Sequence, residues 1–337
     1  MRVDAGLAFT NSVDARDAAA EAERAGYAAV WTSEVKHDPL TGLALAATST
    51  DSIELGTAIV VAFARTPMEL AVQANDVQML SGGRLLLGLG SQIRAHITRR
   101  FSMPWSHPAP RMREYILALH AIWDAWHNGT PLKFEGDYYT HTLMTPFFDP
   151  GPSTAGKPKV YLAGVGDLMT EVAGEVADGF LCHGFTTERY LREVTMPALR
   201  KGRAKAGKEL DGFEVSGLPF IVTGRDEKEV EQAKAGVRGQ IAFYGSTPAY
   251  RGVLELHGWG DLAGELHAMS REGRWKEMGD SIDDEVLEAF AVVAEPDQVG
   301  PEILRRYGDV MTRMTFYTPY GIDGGVTAQV AEAVRAG

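Results

Sequence analysis

The sequence predicts an α/β protein, a (β/α)8 barrel, on three observations. Short apolar runs of strand length alternate with helical periodicity along the whole chain, in eight passes. The runs are apolar at consecutive positions, as in LLLGL at 85–89, which suits parallel strands covered on both faces. The 337 residues show no composition shift, no repeat and no low-complexity stretch, so one barrel with long excursions fits the length. Residues 1–337 are expected to form one domain, with insertions after strands four and seven at about 94–158 and 245–281.

Residues 3–9 are the first strand. Ser12 caps a helix with Ala18, Ala22 and Ala25 on one face, stopped by Gly26. Strand two is 27–31, and its exit loop, TSEVKHDP at 32–39, is rich in groups that exchange protons. A helix over 40–48 leads to strand three at 53–61. Thr66-Pro67-Met68-Glu69 is a capping box with proline at the first helical position, and Leu70, Ala74 and Val77 continue one buried face. Gly82 and Gly83 stop that helix before strand four at 85–89.

After Gly90 the alternation breaks. Met112, Tyr115, Ile116, Leu119, Ile122, Trp123 and Trp126 fall on one helical face, ended by Gly129. Residues 130–158 carry Pro, Gly and aromatics without helical period, a hairpin-bearing insertion. Strand five is 159–163, followed by Gly164-Val165-Gly166 and a helix with Leu168, Val172 and Val176 on one side. Strand six is 179–182, and Thr187 caps a helix to about 207. Strand seven, 213–222, is interrupted at Gly217 and Pro219, and Asp226 starts the next helix. Residues 245–281 are an insertion of helices and loops, 283–292 and 296–307 are helical, and 313–317 is strand eight before a closing helix.

Composition narrows the function classes. A net charge of −12 without a basic face argues against a nucleic-acid binder. One cysteine, Cys182, rules out an internal disulfide and suits a reducing cytoplasm. The first residues enter a strand at once, so no signal peptide is expected, and no apolar run reaches the roughly 18 residues of a membrane span. No HExxH or cysteine-based metal spacing occurs. Neither Gly88-Leu89-Gly90 nor Gly164-Val165-Gly166 has a glycine three residues on, so neither is a Rossmann fingerprint.

In a barrel of this kind chemistry sits where the strands end. Strand two leads to Glu34 and His37, both able to exchange protons near neutral pH when tuned by burial, although Asp38 also reads as a helix cap. Strand four ends in Gly90, Ser91 and Gln92, where small residues admit a ring or phosphate and the amide supplies donor and acceptor. Arg94, Arg99 and Arg100 follow, either an anion-holding rim or a solvated cluster. Strand five ends in Ala163, Gly164, Val165 and Gly166 at a helix start, an anion site for which Asp167 competes. Strand six delivers Cys182, read as core, and His183, read as a contact for a cofactor tail or phosphate.

Leu55-Gly56-Thr57, Arg65-Thr66-Pro67, Leu80-Ser81-Gly82-Gly83-Arg84 and Leu87-Gly88-Leu89-Gly90-Ser91, in that order and spacing, resemble the bacterial-luciferase-like superfamily of TIM barrels, in its branch that uses the deazaflavin coenzyme F420. The resemblance implies an oxidoreductase acting on a small organic substrate. It places an acidic residue at Glu34 beside the reactive ring, and a non-proline cis peptide at Ala58–Ile59 against the back of that ring. It brings the cofactor phosphate to the strand-five turn. The histidine often found directly after the acidic position is replaced by Val35, with His37 two residues later. Flavin mononucleotide (FMN) with a monooxygenase activity, or noncatalytic cofactor binding, are the alternatives within the superfamily. Dimerisation is common there, so a homodimer is expected.

Overall fold

The computed structural model describes residues 1–8 and 11–336. Eight parallel strands form its centre: β1 (Arg2–Gly6), β2 (Ala29–Thr32), β3 (Glu54–Thr57), β4 (Leu85–Gly90), β5 (Lys159–Gly164), β6 (Gly179–Cys182), β7 (Glu214–Gly217) and β8 (Arg313–Thr315). Each pairs with the next, and β8 returns to β1 through Arg2 opposite Arg313, so the sheet closes with no free edge. The expected barrel is what forms.

Local sequence explains most of the helices. In α1 (Asp14–Arg24) the buried face is Ala15, Ala19 and Ala22; Ala22 is as expected, while Ala18 is half-buried and Ala25 exposed, and the Asn11 side chain, not Ser12, accepts the Val13 N–H. In α2 (Pro39–Ala47) Asp38 is the N-cap. Thr66 caps α3 (Pro67–Leu80) by accepting the Glu69 N–H, as the capping box requires. A short α4 (Arg94–Arg99), not foreseen, precedes α5 (Pro108–Asn128), which ends at Gly129 in the left-handed conformation. In α6 (Asp167–Val176) Met169, Val172 and Ala173 face the core and Val176 packs against it, as expected for Val172 and Val176, while Leu168 is exposed and Met169 takes its place.

Other boundaries moved too. The first strand stops at Gly6, and Phe9 lies outside the described residues. Strand three breaks after Thr57 and resumes at Val60–Val61, which pairs with Leu89 and Gly90. Between β4 and β5 a hairpin pairs Phe134–Glu135 with Thr140–His141, and the Glu114 carboxylate clamps it by accepting the N–H groups of Asp137, Tyr138 and Tyr139 at 2.5–2.9 Å. Between β7 and β8, Phe220–Val222 pairs in parallel with Ala291–Val293, a strand where helix was expected. The helices Glu227–Gly245, Arg251–Leu256 and Gly260–Glu272 lie between these two strands in sequence and build a second core around Phe185, Phe220, Ile241 and Leu266. Among the described residues no helix is long and apolar enough to cross a membrane.

The barrel interior is apolar in its middle layer, with Ala29, Trp31, Leu86, Tyr161 and Leu181 in contact. Toward the strand starts it turns ionic. Arg313, fully buried, donates to both oxygens of Asp4 at 2.6 and 3.0 Å and pairs with Glu54 at 2.9 Å and Glu214 at 3.0 Å. Asp4 also accepts the Trp31 indole N–H at 2.8 Å. Burial works to raise the Glu214 carboxyl, but the Tyr161 hydroxyl and the Arg2 and Arg313 guanidinium groups outweigh it and hold it at about 2. Because the folded value lies below the ordinary 4.5, this group stabilises the fold fully above pH 4.5 and the contribution is lost as pH falls toward 2. Urea unfolding of wild type and Glu214→Gln should therefore diverge at pH 6 and converge near pH 2; parallel curves at both pH values would refute the assignment.

Candidate active site at the barrel mouth

At the carboxyl ends of the strands the floor is built of glycine, alanine and one isoleucine. Gly6 closes β1 exposed, with nothing within 4 Å of where a Cβ would stand. Ala58, Ile59 and Ala163 are half-buried and rest on the apolar layer of Trp31, Leu86 and Tyr161. The Ala58–Ile59 peptide is cis, as the resemblance implies. Ala58 is held on both sides, its N–H donating to Thr32 O at 2.7 Å and its carbonyl accepting from Ser33 Oγ at 2.7 Å. The Ile59 side chain lies against the end of β4: a Cβ on Gly90 would meet its Cγ1 at 2.8 Å.

The loop after β2 is held by an arginine that the sequence reading assigns no role. Arg65 donates to Glu34 Oε2 at 2.7 Å through one nitrogen and to Asp38 Oδ2 at 2.8 Å through another. The same Glu34 oxygen accepts the Val61 N–H at 2.8 Å, and Asp38 Oδ1 accepts the Thr41 N–H. Glu34 is thus an anchor joining β2's exit, the Val60–Val61 strand and the start of α3. His37, half-buried, rides on the loop that this clamp fixes. The one sequence signal was position, since Arg65 directly precedes a capping box beside the mouth. With side chains only 13% and 9% exposed, the pair is largely desolvated. Arg65→Met should therefore cost about 3 kcal/mol by leaving the Glu34 charge short of its partner. A loss below about 1 kcal/mol in urea unfolding would show that the clamp is not holding the loop.

At the end of β4 the side chains are spent locally. Gln92, in the left-handed region at φ 58°, accepts the Ile93 N–H on its own Oε1 at 2.9 Å, and Ser91 Oγ donates to Gln92 O. Gly90, the turn's backbone and the side-chain N–H groups of Gln92 are what this strand offers a ligand. Arg94, Arg99 and Arg100 are exposed, and Arg100 donates to Val35 O at 2.9 Å, tying α4 to the β2 loop.

The turn after β5 presents Ala163, Gly164, Val165 and Gly166, all half-buried. Gly166, at φ 80° and ψ 158°, occupies a conformation open essentially to glycine alone. It is itself the N-cap of α6, and no side chain caps this helix. Asp167 stands inside the first turn and does not take the N–H groups, contrary to expectation.

After β6, Cys182 is buried in the core and burial pushes its thiol up to about 12, so it remains a protonated packing group. His183 accepts the Phe185 N–H on Nδ1 at 3.0 Å and meets the Tyr250 hydroxyl through Nε2 at 3.2 Å. Burial lowers it to about 4, so the ring is neutral at physiological pH. A neutral ring with both nitrogens engaged contributes no charge to a phosphate. Among the described residues no His, Cys, Asp and Glu cluster suits a metal ion.

Fold and mouth together define a (β/α)8 barrel with an apolar floor, a fixed proton-capable loop and a helix start capped by glycine without a side-chain acceptor. The chain belongs to the luciferase-like monooxygenase family, whose profile matches residues 7–313. An uncharacterized protein of Mycobacterium tuberculosis is 54% identical over 300 residues, covering 89% of this chain and 88% of that one. A putative coenzyme F420-dependent oxidoreductase of the same organism is 27% identical, over 94% of this chain and 91% of its own. The 5,10-methylenetetrahydromethanopterin reductase of Archaeoglobus fulgidus is 25% identical over 90% and 88%. Among solved structures, the coenzyme F420-dependent tetrahydromethanopterin reductase of Methanopyrus kandleri superposes with a TM-score of 0.80 at 20% identity, covering 100% of this chain and 98% of that one. A riboflavin lyase with modified FMN has the same fold, at a TM-score of 0.72 and 16% identity over 100% and 93% of the chains.

Proposed function

We propose that this chain is a coenzyme F420-dependent oxidoreductase that moves a hydride between the deazaflavin and a small organic substrate. The observation that carries the reading is the floor of Gly6, Ala58, Ile59 and Ala163, half-open and without a polar or charged side chain, beside a glycine-capped helix start. A planar ring fits such a floor, and a phosphate fits N–H groups that no side chain occupies. When bound, the deazaflavin supplies two-electron hydride chemistry.

The chain's own residues then divide the work. Ala58 and Ile59 support the ring from below, and Gly90, Ser91 and Gln92 border it with backbone groups. Ala163, Gly164, Val165 and Gly166 take the phosphate. Glu34 positions the loop through Arg65, and His37 on that loop handles the proton. The exposed arginines after β4 line the rim where an acidic tail would run. A relative whose name specifies F420, 27% identical over 94% of the chain, supports the same reading, while an FMN-containing neighbour of the fold keeps flavin as the alternative.

Titration of the purified chain with F420 and with FMN tests the proposal. The expected result is deazaflavin binding at least tenfold tighter than flavin. Tight binding of FMN alone would make this a flavin-dependent monooxygenase, and binding of neither would remove the phosphate turn from the argument.

A further inference from the structure

Above β6 and β8 stands a wall of hydroxyl-bearing rings that the cofactor does not account for. His183 packs against Tyr250 at 4.6 Å and Tyr244 at 4.7 Å between ring centroids. Tyr244 and Tyr317 share a hydrogen bond between their hydroxyls at 2.9 Å, and Tyr317 stacks on Phe220 at 4.7 Å. The packing brings together three excursions of the chain: the β6 exit, the segment after β7 and the β8 exit.

Proton bookkeeping in this wall is decided by the backbone. Because Nδ1 of His183 accepts the Phe185 N–H, the neutral ring carries its hydrogen on Nε2. That hydrogen is donated to the Tyr250 oxygen, so the Tyr250 O–H has to point elsewhere. In the Tyr244–Tyr317 pair one hydroxyl donates to the other, which leaves one O–H unspent there as well. The two pairs therefore hold two donors and offer no cation. Burial raises Tyr250 to about 12 and keeps it protonated.

We infer that the His183–Tyr250 and Tyr244–Tyr317 pairs are the substrate-recognition wall, and that they take the oxygen of a neutral carbonyl compound with a flat or cyclic apolar body. Unspent O–H donors call for an acceptor, the aromatic faces call for a ring, and the absence of a cation in the wall selects against an anionic substrate. His183 is a positioning residue: it orients the Tyr250 hydroxyl through Nε2–H. The inference rests on the oxidoreductase reading only for which reaction the substrate undergoes; the binding chemistry stands on the wall itself.

The test uses the full chain with carbonyl-13C acetophenone as a neutral probe and benzoate as its anionic counterpart. Acetophenone should bind, and its carbonyl stretch should move to lower wavenumber in the infrared difference spectrum. Tyr250→Phe should reverse that shift and weaken the dissociation constant roughly three- to tenfold, the worth of one neutral hydrogen bond. Removing both hydroxyls of the second pair, Tyr244→Phe with Tyr317→Phe, should weaken it comparably, since either hydroxyl left alone still carries an unspent O–H. F420 titration of the same samples is expected to be unchanged, which separates a failed wall from a failed cofactor assignment. An unshifted carbonyl, equal affinity in both variants, preference for benzoate, or no acetophenone binding by the wild type would each overturn the inference.

Discussion

Replacing Arg313 with Met is expected to lower the unfolding free energy by about 3–5 kcal/mol, enough to remove much of the stability of an ordinary domain. The reason is geometric. Arg313 and Asp4 are fully buried, and the guanidinium is shared among Asp4, Glu54 and Glu214 while its Cζ lies 5.2 Å from the Trp31 ring centroid. Methionine fills part of the volume but strands the Asp4 carboxylate with the Trp31 indole N–H, at 2.8 Å, as its remaining donor. The loss should therefore come from an uncompensated charge and not from lost packing. Adding Asp4→Asn to Arg313→Met separates the two, because it removes the stranded charge at nearly constant shape. The double variant should regain a substantial share of the lost stability in urea unfolding, with a coupling of at least about 1 kcal/mol. Additive losses would mean that the cluster contributes by packing alone.

This ionic layer also marks where sequence reading stops. The barrel was legible because the strands are largely continuous apolar runs and several helices carry their own caps, as at Asp38, Thr66, Asp226 and Asp283, all of which accept an N–H of the first turn. Such signals are local. The Asp4–Arg313 pair joins residues 309 apart, and in the sequence each looks like an ordinary polar residue at a strand start. Arg65 was visible as a residue but not as the partner of Glu34 and Asp38, since the loop brings them together across the mouth. The helix faces of α1 and α6 were placed only in part, with Ala22 and Val172 right, because apolar residues stand at adjacent positions, Ala18 beside Ala19 and Leu168 beside Met169. At the mouth, the strand ends gave the right neighbourhood. They did not show that Gln92 and Ser91 satisfy their own turn, or that His183 is spent on Phe185 and Tyr250. Whether a side chain is free depends on contacts that only the folded chain makes.

Two glycines of one motif should fail in different ways when changed to alanine. Gly88 and Gly90 are neighbours on the same face of β4. A Cβ on Gly88 would stand 1.8 Å from the carbonyl oxygen of Thr57 and 2.8 Å from Leu181, while the Thr57 hydroxyl already bridges the Gly88 N–H and C=O at 2.8 Å each. Backbone cannot yield there without breaking the β3–β4 pairing, so Gly88→Ala should cost more than about 4 kcal/mol and be recovered poorly folded. A Cβ on Gly90 meets the Ile59 side chain at 2.8 Å, which is able to turn away at an overpacking cost of about 1–3 kcal/mol. Gly90→Ala should thus fold, but with the floor of the mouth displaced. Its affinity for F420 should drop roughly tenfold, corresponding to about 1.4 kcal/mol of lost contact. Circular dichroism melts and the cofactor titration distinguish the cases. A well-folded Gly88→Ala would contradict the close approach of β3 and β4, and a Gly90→Ala protein that binds F420 like the wild type would remove Ile59 from beneath the ring.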